Sequence, residues 1–427
     1  MAQPLEADLP LSASPRSPVQ PFRPDTLTPA SIGAVAACFI ANVISSAPIV
    51  SGTFGIFMLP ITGEIGWSRT AYTSVLTMTA LIGVFAFPWG GRLADRIGPR
   101  PMMLWGLVAY GLALALLSLV NASPLIFFGL YALIALASAG PSTVVGAKLI
   151  SGWFVQRRGT ILGLTGGGGI SLGYILAPHV SHALIDAFGW RGAYIGMGAI
   201  VLGLGLPTAW LFLRDPPASA RTDAETPADL TGMTAAEARA TPQFWMLMAA
   251  VVLGAGATTV FYTHLVPYAS DRKMPTEAAL WALSAAGASN GLWQIIMGRV
   301  LDRTATPRIA APMVLAGLAG LALVLLTSTP AAWVLGGLLL GVSSGSEYGL
   351  VPYALQRYFG RRAFGGLYGL IYGVVWLSMG VFPLASAAVF DLLGSYDLAL
   401  AASGLFILAS AVLLFVLPRY ALSADQS

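Results

Sequence analysis

The sequence predicts an all-α integral membrane protein: twelve transmembrane helices in two six-helix pseudo-symmetric halves. Three observations predict it. The chain of 427 residues is 56% hydrophobic and only 9% charged, where a soluble protein carries about 25% charged residues. Its apolar runs are continuous and do not alternate with polar faces. A set of short motifs also recurs at an interval of 204 to 207 residues.

The spans follow from the charge-free stretches, since about 20 apolar residues cross the hydrocarbon core. These stretches are 26–63, 70–91, 101–147, 159–185, 192–213, 240–270, 278–298, 309–346, 363–390 and 398–418. Two of the ten are too long for one crossing. The stretch 101–147 breaks at Asn121-Ala122-Ser123-Pro124 and 309–346 breaks at Thr327-Ser328-Thr329-Pro330, because proline ends one helix or begins the next. Ten and two give twelve, numbered here spans 1 to 12.

The polar remainder sets the organisation. Residues 1–28 are rich in Pro, Ser and Ala, carry Glu6, Asp8 and Asp25, and lack the basic start of a cleavable signal. They read as a disordered cytoplasmic tail. The N-terminal half is 29–213, the cytoplasmic linker 214–242, the C-terminal half 243–419 and the C-terminal tail 420–427. With the N-terminus inside, 18 of the 22 basic residues fall on the cytoplasmic side, and only Arg69, Arg191, Arg272 and Lys273 fall outside. This bias orients membrane proteins, so both termini are expected in the cytoplasm and the protein in the plasma or inner membrane.

Composition excludes several function classes. Three histidines and the single Cys38 supply no nucleophile–base set for catalysis. His179, His182 and Asp186 lie close in sequence but gain no further ligand, so no metal and no cofactor is expected. No basic-aromatic stripe points to nucleic acid. Gly166–Gly169 lacks the strand and the Lys-Ser/Thr partner of a phosphate loop, and reads as close helix packing. Transport would then draw on gradients. A monomer suffices, with no obligate protein partner.

The repeat is the strongest signal. Gly91-Arg92-Leu93-Ala94-Asp95-Arg96-Ile97-Gly98-Pro99-Arg100 follows span 2, and Gly298-Arg299-Val300-Leu301-Asp302-Arg303 through Arg308 follows span 8. Pro124 and Pro330 match, as do Trp153-Phe154 with Arg157-Arg158 and Tyr358-Phe359 with Arg361-Arg362. Parallel six-span repeats are one way carriers are built.

Gly91 to Arg100 resembles the loop signature between helices 2 and 3 of the major facilitator superfamily. Gly66-Trp67-Ser68-Arg69, Trp153-Phe154 with Arg157-Arg158-Gly159, Gly189-Trp190-Arg191-Gly192 and His264-Leu265-Val266-Pro267 resemble its monocarboxylate and oxalate/formate branch. The resemblance implies the major facilitator fold and alternating access, with a cavity lined by spans 1, 4, 7 and 10. It also implies a cytoplasmic latch of Gly91, Asp95, Arg96, Gly98 and Arg100, with Arg299, Asp302 and Arg303 as its second copy. Asp95 would face the positive end of span 11 near Ala363. Two features depart from the branch: no basic residue lies deep in span 8 or 11, and Gly152 stands before Trp153-Phe154 where a basic residue is common.

Within the spans, Glu347 is the one acid clearly inside the membrane. A charge there costs about 2.5–3.5 kcal/mol on insertion scales, which makes it a functional candidate. It is read as the proton-coupling or substrate-orienting residue, or as a protonated acid bonded to a neighbouring helix. Ser343 shares its helical face and Tyr348 adjoins it. Lys148 either pairs with an anionic substrate or snorkels. His264 reads as a proton relay at the outer mouth or as an interfacial histidine. Asn42 and Ser46 in span 1, Asn290 and Gln294 in span 8, and Tyr372 and Trp376 in span 11 complete the candidate substrate contacts, each of which also serves helix packing. The expected activity is secondary active transport of a small organic anion such as a monocarboxylate, by proton coupling or exchange. The alternative is a carrier for a neutral or amphipathic solute.

Overall fold

The computed structural model describes residues 25–215, 232–304 and 306–420; most of both tails and of the linker therefore lie outside the described residues. Among the described residues, nine helical runs are long and apolar enough to cross a membrane. One of them, Arg158–Phe212, is 55 residues long and turns at Gly189, whose φ of 69° and ψ of 173° leave the helical region. It therefore supplies spans 5 and 6. Two more crossings complete twelve. Span 4 is split into Pro124–Ala137 and Thr143–Trp153, and span 8, Thr276–Asp302, carries Ser284, Ser289, Asn290 and Gln294 in its middle.

The other spans are span 1 (Pro29–Val43 and Phe54–Ile65), span 2 (Arg69–Ile97), span 3 (Pro99–Leu116), span 7 (Pro242–Asp271), span 9 (Ala310–Leu326), span 10 (Pro330–Phe359), span 11 (Phe364–Leu393) and span 12 (Asp397–Val416). Proline opens spans 3, 4, 7 and 10, where its missing N–H costs no helical bond. Span 1 is interrupted by a π-helical turn at Ala47–Ser51 around Pro48. The break in span 4 carries Gly140, which lies so close to Gly106 of span 3 that a Cβ on either would stand 2.6 Å from the other's Cα.

Two packed clusters hold these spans. One draws on residues 34 to 213 and the other on 238 to 417 together with Ile56. Large apolar side chains such as Phe85, Trp105, Leu125 and Leu326 stand exposed on the outer faces, as expected for a surface solvated by lipid. The repeat also reaches the backbone. Left-handed turns fall at Gly66 (φ 78°) and Lys273 (φ 55°), and at Gly189 (φ 69°) and Gly394 (φ 70°), 207 and 205 residues apart.

The halves meet along spans 2 and 11 and along spans 5 and 8. An even number of crossings puts Asp25, Leu213, the 232–241 segment and Tyr420 on one side, called here the tail side. On the far side the halves are tied. Arg69 donates to both carboxylate oxygens of Asp271 at 2.6 and 2.8 Å. Asp391 accepts from the backbone N–H groups of Arg69 and Thr70 at 3.2 and 2.9 Å, so a carboxylate of one half caps a helix of the other. The Arg69 guanidinium also lies 3.6 Å over the Phe390 ring. Further in, Thr77 donates to the Gly380 carbonyl at 3.0 Å, and Ser284 donates to that of Ile175 at 2.9 Å.

Toward the tail side the seams open. A side chain added at Gly159, Gly163 or Gly166 of span 5, Gly298 of span 8, or Gly365, Gly366 or Gly369 of span 11 would meet nothing within 4 Å. Each half keeps its own latch there. The Asp25 carboxylate accepts from the N–H groups of Val155, Gln156 and Arg157, and Met233 donates to the Phe359 carbonyl at 2.8 Å. The two contacts fall on matching segments of the repeat, one residue out of register: Asp25 donates its N–H to the carbonyl of Trp153, the match of Tyr358, while Met233 uses the next residue, Phe359.

Candidate functional site

A ring of tyrosines stands at mid-depth where the halves face each other. Tyr174 of span 5 meets Tyr262 of span 7 across the seam, ring centroids 5.3 Å apart. Tyr368 and Tyr372 of span 11 are 4.3 Å apart, and Tyr348 of span 10 lies 6.5 Å from Tyr372. All five are half-buried, so each keeps a face toward open space. Span 5 reaches this position because span 8 is small where the two cross. A Cβ on Gly287 would stand 2.7 Å from that of Tyr174, and one on Gly291 would stand 2.2 Å from the Ser171 hydroxyl.

Polar groups join the ring. Asn290 donates to Ser344 at 2.7 Å, and Gln294 donates to Asn290 at 2.8 Å. The free oxygen of Gln294 faces Gly167 in the other half, 3.1 Å from where a Cβ would stand. Trp376 packs on Phe87 across the spans 2–11 seam at 5.2 Å, and with Ser46, Thr79 and Ser138 it lines a small adjoining cavity. Asn290, Gln294, Tyr348, Tyr372, Trp376 and Ser46 thus face the interface between the halves. Sequence reading passed over Tyr174 and Tyr262. The phenol is their signal, and it stands among other polar residues of the same spans, such as Ser171 in span 5 and Thr263 in span 7.

Three expectations need correction. Glu347 does not reach this space. It is 2% exposed, accepts a hydrogen bond from Ser410 of span 12 at 3.0 Å, and lies on Gly254 of span 7, where a Cβ would stand 1.8 Å from its oxygen. Ser343, on the same face, packs against Gly317 of span 9. Both point into the C-terminal half, because successive helical residues are rotated by about 100° and it is Tyr348 that takes the interface. In this structure neither side chain faces the space between the halves. Glu347 keeps one oxygen without a hydrogen-bond partner.

Lys148 likewise does not point into the cavity. It donates to the Asp95 carboxylate and the Gly91 carbonyl, each at 2.6 Å, so Asp95 pairs within its own half and not with span 11. The equivalent position of the repeat is Tyr353, which donates to the Leu301 carbonyl. Gly98 turns the loop with φ 94°, a conformation that favours glycine. Arg100 then donates its N–H to Asp215 at 3.2 Å and its guanidinium to the Trp210 carbonyl. Arg96, Arg299 and Arg303 are exposed, and the side chain of Asp302 lies outside what the structure describes.

His264 is the third correction. It is fully buried, its Nε2 is 2.9 Å from the Pro383 carbonyl, and its ring lies 4.7 Å from that of Tyr396. It sits beneath the far-side contacts instead of at a mouth. Asn42 is also buried and its amide N–H donates to the Cys38 carbonyl at 2.8 Å, leaving its side-chain oxygen unpaired where spans 1 and 5 pack together. Among the described residues, no group of three His, Cys, Asp or Glu is placed to hold a metal.

The family model described as Major Facilitator Superfamily matches residues 39–383. The chain belongs to the major facilitator superfamily. Among its relatives, human Monocarboxylate transporter 11 (Homo sapiens) is 30% identical over 370 residues, covering 82% of this chain and 75% of that protein. The Oxalate:formate antiporter of Oxalobacter formigenes is 24% identical over 258 residues, 60% of each chain. These are the two groups that the loop motifs resemble. The solved structure of a bacterial homolog of the human lysosomal transporter Spinster, inward-facing and unoccupied, has a TM-score of 0.72 at 16% identity, covering 92% of this chain and 98% of that one; this likeness is one of fold. The protein is therefore a multi-pass membrane transporter of the superfamily and not an enzyme.

Proposed function

We propose that the protein is a secondary carrier that moves a small organic anion by alternating access, coupled to protons or by exchange. One observation carries the reading: the halves are bound together on the far side, open on the tail side, and enclose a polar aromatic site at mid-depth. The excess of Lys and Arg on the tail side supports a cytoplasmic tail side, which makes this an inward-facing state in a plasma or inner membrane. Each half, 29–213 and 243–419, would move as one body, joined by the 214–242 linker.

The anion reading is supported by the relatives: a monocarboxylate transporter, an oxalate:formate antiporter and, 26% identical over 395 residues, a probable sulfoacetate transporter of Cupriavidus necator. With no fixed cation in the tyrosine ring among the described residues, an anion would be held by hydroxyl and amide donors, which strengthen when the acceptor is charged. Its charge is best offset by a proton travelling with it. Glu347, beside Tyr348 and with one unpaired oxygen, is the proposed proton site. On closure of the cytoplasmic side, Asp95 would exchange Lys148 for the positive end of span 11, with Asp302 acting likewise at span 5. A single chain suffices for this cycle.

The same missing cation favours the second reading, a neutral or amphipathic solute. Proteoliposomes preloaded with unlabelled acetate, lactate, oxalate or benzoate decide between them. Transient accumulation of the labelled acid, accelerated by an inward acid gradient in the wild type but not in Glu347→Gln, is expected. No counterflow with any of the four acids overturns the anion reading. Retained acceleration in Glu347→Gln overturns the proton role alone.

A further inference from the structure

We infer that the tyrosine ring is a flat cage that selects a planar aromatic organic acid over aliphatic acids of the same size and charge. The inference rests on the organic-anion reading above and narrows it.

The shape of the site carries it. Tyr368 and Tyr372 are 4.3 Å apart at 32°, Tyr348 and Tyr372 are inclined at 31°, and Tyr174 and Tyr262 at 44°. All three pairs are tilted, so the cluster presents ring faces and ring edges together, and an aromatic partner can pack on either. The five phenols come from spans 5, 7, 10 and 11, so both halves contribute a wall. Each is half-buried and keeps apolar ring surface uncovered in this open state. Such surface gains contact only from a body wide enough to cover it. A two-carbon acid cannot do so, and a puckered ring covers one face poorly.

The chemistry of the rim completes the assignment. The hydrogen-bonded row Gln294–Asn290–Ser344 lies beside the rings, and the phenol hydroxyls add further donors. The phenol hydroxyls and the second N–H of the Asn290 and Gln294 amides offer neutral donors to one carboxylate, while Ser344 spends its own hydrogen on the Gly341 carbonyl. The charged side chain nearest in sequence, Glu347, is turned into the C-terminal half and takes its bond from Ser410. A planar ring bearing one carboxylate meets both parts of the site at once.

The full chain in proteoliposomes provides the test, with labelled benzoate and labelled cyclohexanecarboxylate. These acids match in carbon count and charge and differ in planarity and aromaticity. A KM for benzoate about tenfold below that for cyclohexanecarboxylate is expected, as stacking on two rings would give. Tyr372→Leu should erase the difference and Tyr372→Phe should keep it; the wild-type comparison decides even if a variant fails to fold. Equal KM values for the two acids overturn the cage while leaving the organic-anion reading intact. Uptake of benzyl alcohol with neither acid transported overturns both.

Discussion

The Arg69–Asp271 pair predicts how far the two states of the transporter lie apart. It is bidentate, and its side chains are only 13% and 29% exposed, so it lies between a solvent-exposed pair and a buried one. Exposed pairs contribute about 0.2–1 kcal/mol, while breaking a buried pair costs about 3–5 kcal/mol. Asp271→Asn keeps one acceptor oxygen, and Arg69 retains the Phe390 ring and the Asp391 cap of its backbone. Those remaining contacts hold the expected loss to about 1–2 kcal/mol. At 1.4 kcal/mol per factor of ten, the far side should open roughly five- to thirtyfold more often. A Cys38→Ser, Ser46→Cys background reads this directly through the rate at which a charged, impermeant thiol reagent added from the far side modifies residue 46. Glu64→Gln is the control, because Glu64 pairs with Arg191 inside one half. An unchanged rate in Asp271→Asn, or an equal rise in Glu64→Gln, refutes the reasoning.

Three other outcomes are expected. Gly254→Ala would set a methyl group 1.8 Å from the Glu347 oxygen; overpacking of this kind costs about 1–3 kcal/mol, and a thermal melt of the purified protein should fall by several degrees while Gly63→Ala, with nothing within 4 Å, leaves it unchanged. Lys148→Gln should leave the KM of the transported acid unchanged while altering its turnover, because Lys148 holds Asp95 and not the site; a shift in KM with unchanged turnover contradicts this. The Asp25 carboxyl is pulled toward higher values by burial, but the backbone N–H groups of residues 155–157 prevail and hold it below its ordinary range. A lowered folded pKa stabilises the docked segment fully above the unfolded value of about 3.9 and loses that contribution as pH falls through the folded one. Hydrogen exchange of the Val155 and Gln156 amides, corrected for intrinsic rates, should therefore be constant from pH 8 to 5 and speed up below about pH 4. Protection lost between pH 7 and 5 contradicts the assignment.

The spans were legible because lipid demands continuous apolar runs with every backbone group bonded internally, and because Pro124 and Pro330 marked the turns inside the two long ones. The breaks at Pro48 and Gly140-Pro141 have the same backbone cause, a proline that removes a helical hydrogen bond. Which face each polar residue takes was not legible. Span 10 carries Ser343, Ser344, Ser346, Glu347 and Tyr348 in one short run, which spreads polar groups around the helix with no single stripe to mark the cavity side, so Glu347 and Ser343 could not be told from Tyr348 by pattern. The Lys148–Asp95 pair depends on the relative heights of spans 2 and 4, which sequence spacing does not record. His264 was put too near the boundary, since span 7 runs on to Asp271. Tyr174 and Tyr262 become neighbours only when the halves are docked.

Alternating access itself is tested most directly by spin-label distances at both ends of the spans 5–8 seam. Labels at Phe188 and Glu277 report the far side, and labels at Arg158 and Gly298 report the tail side. Without substrate the far-side distance should be short and the tail-side distance long. Adding the carboxylate that shows counterflow should bring up a second population in which both are reversed. Distances that change at one end only, or lengthen and shorten together, contradict a carrier that opens to one side at a time.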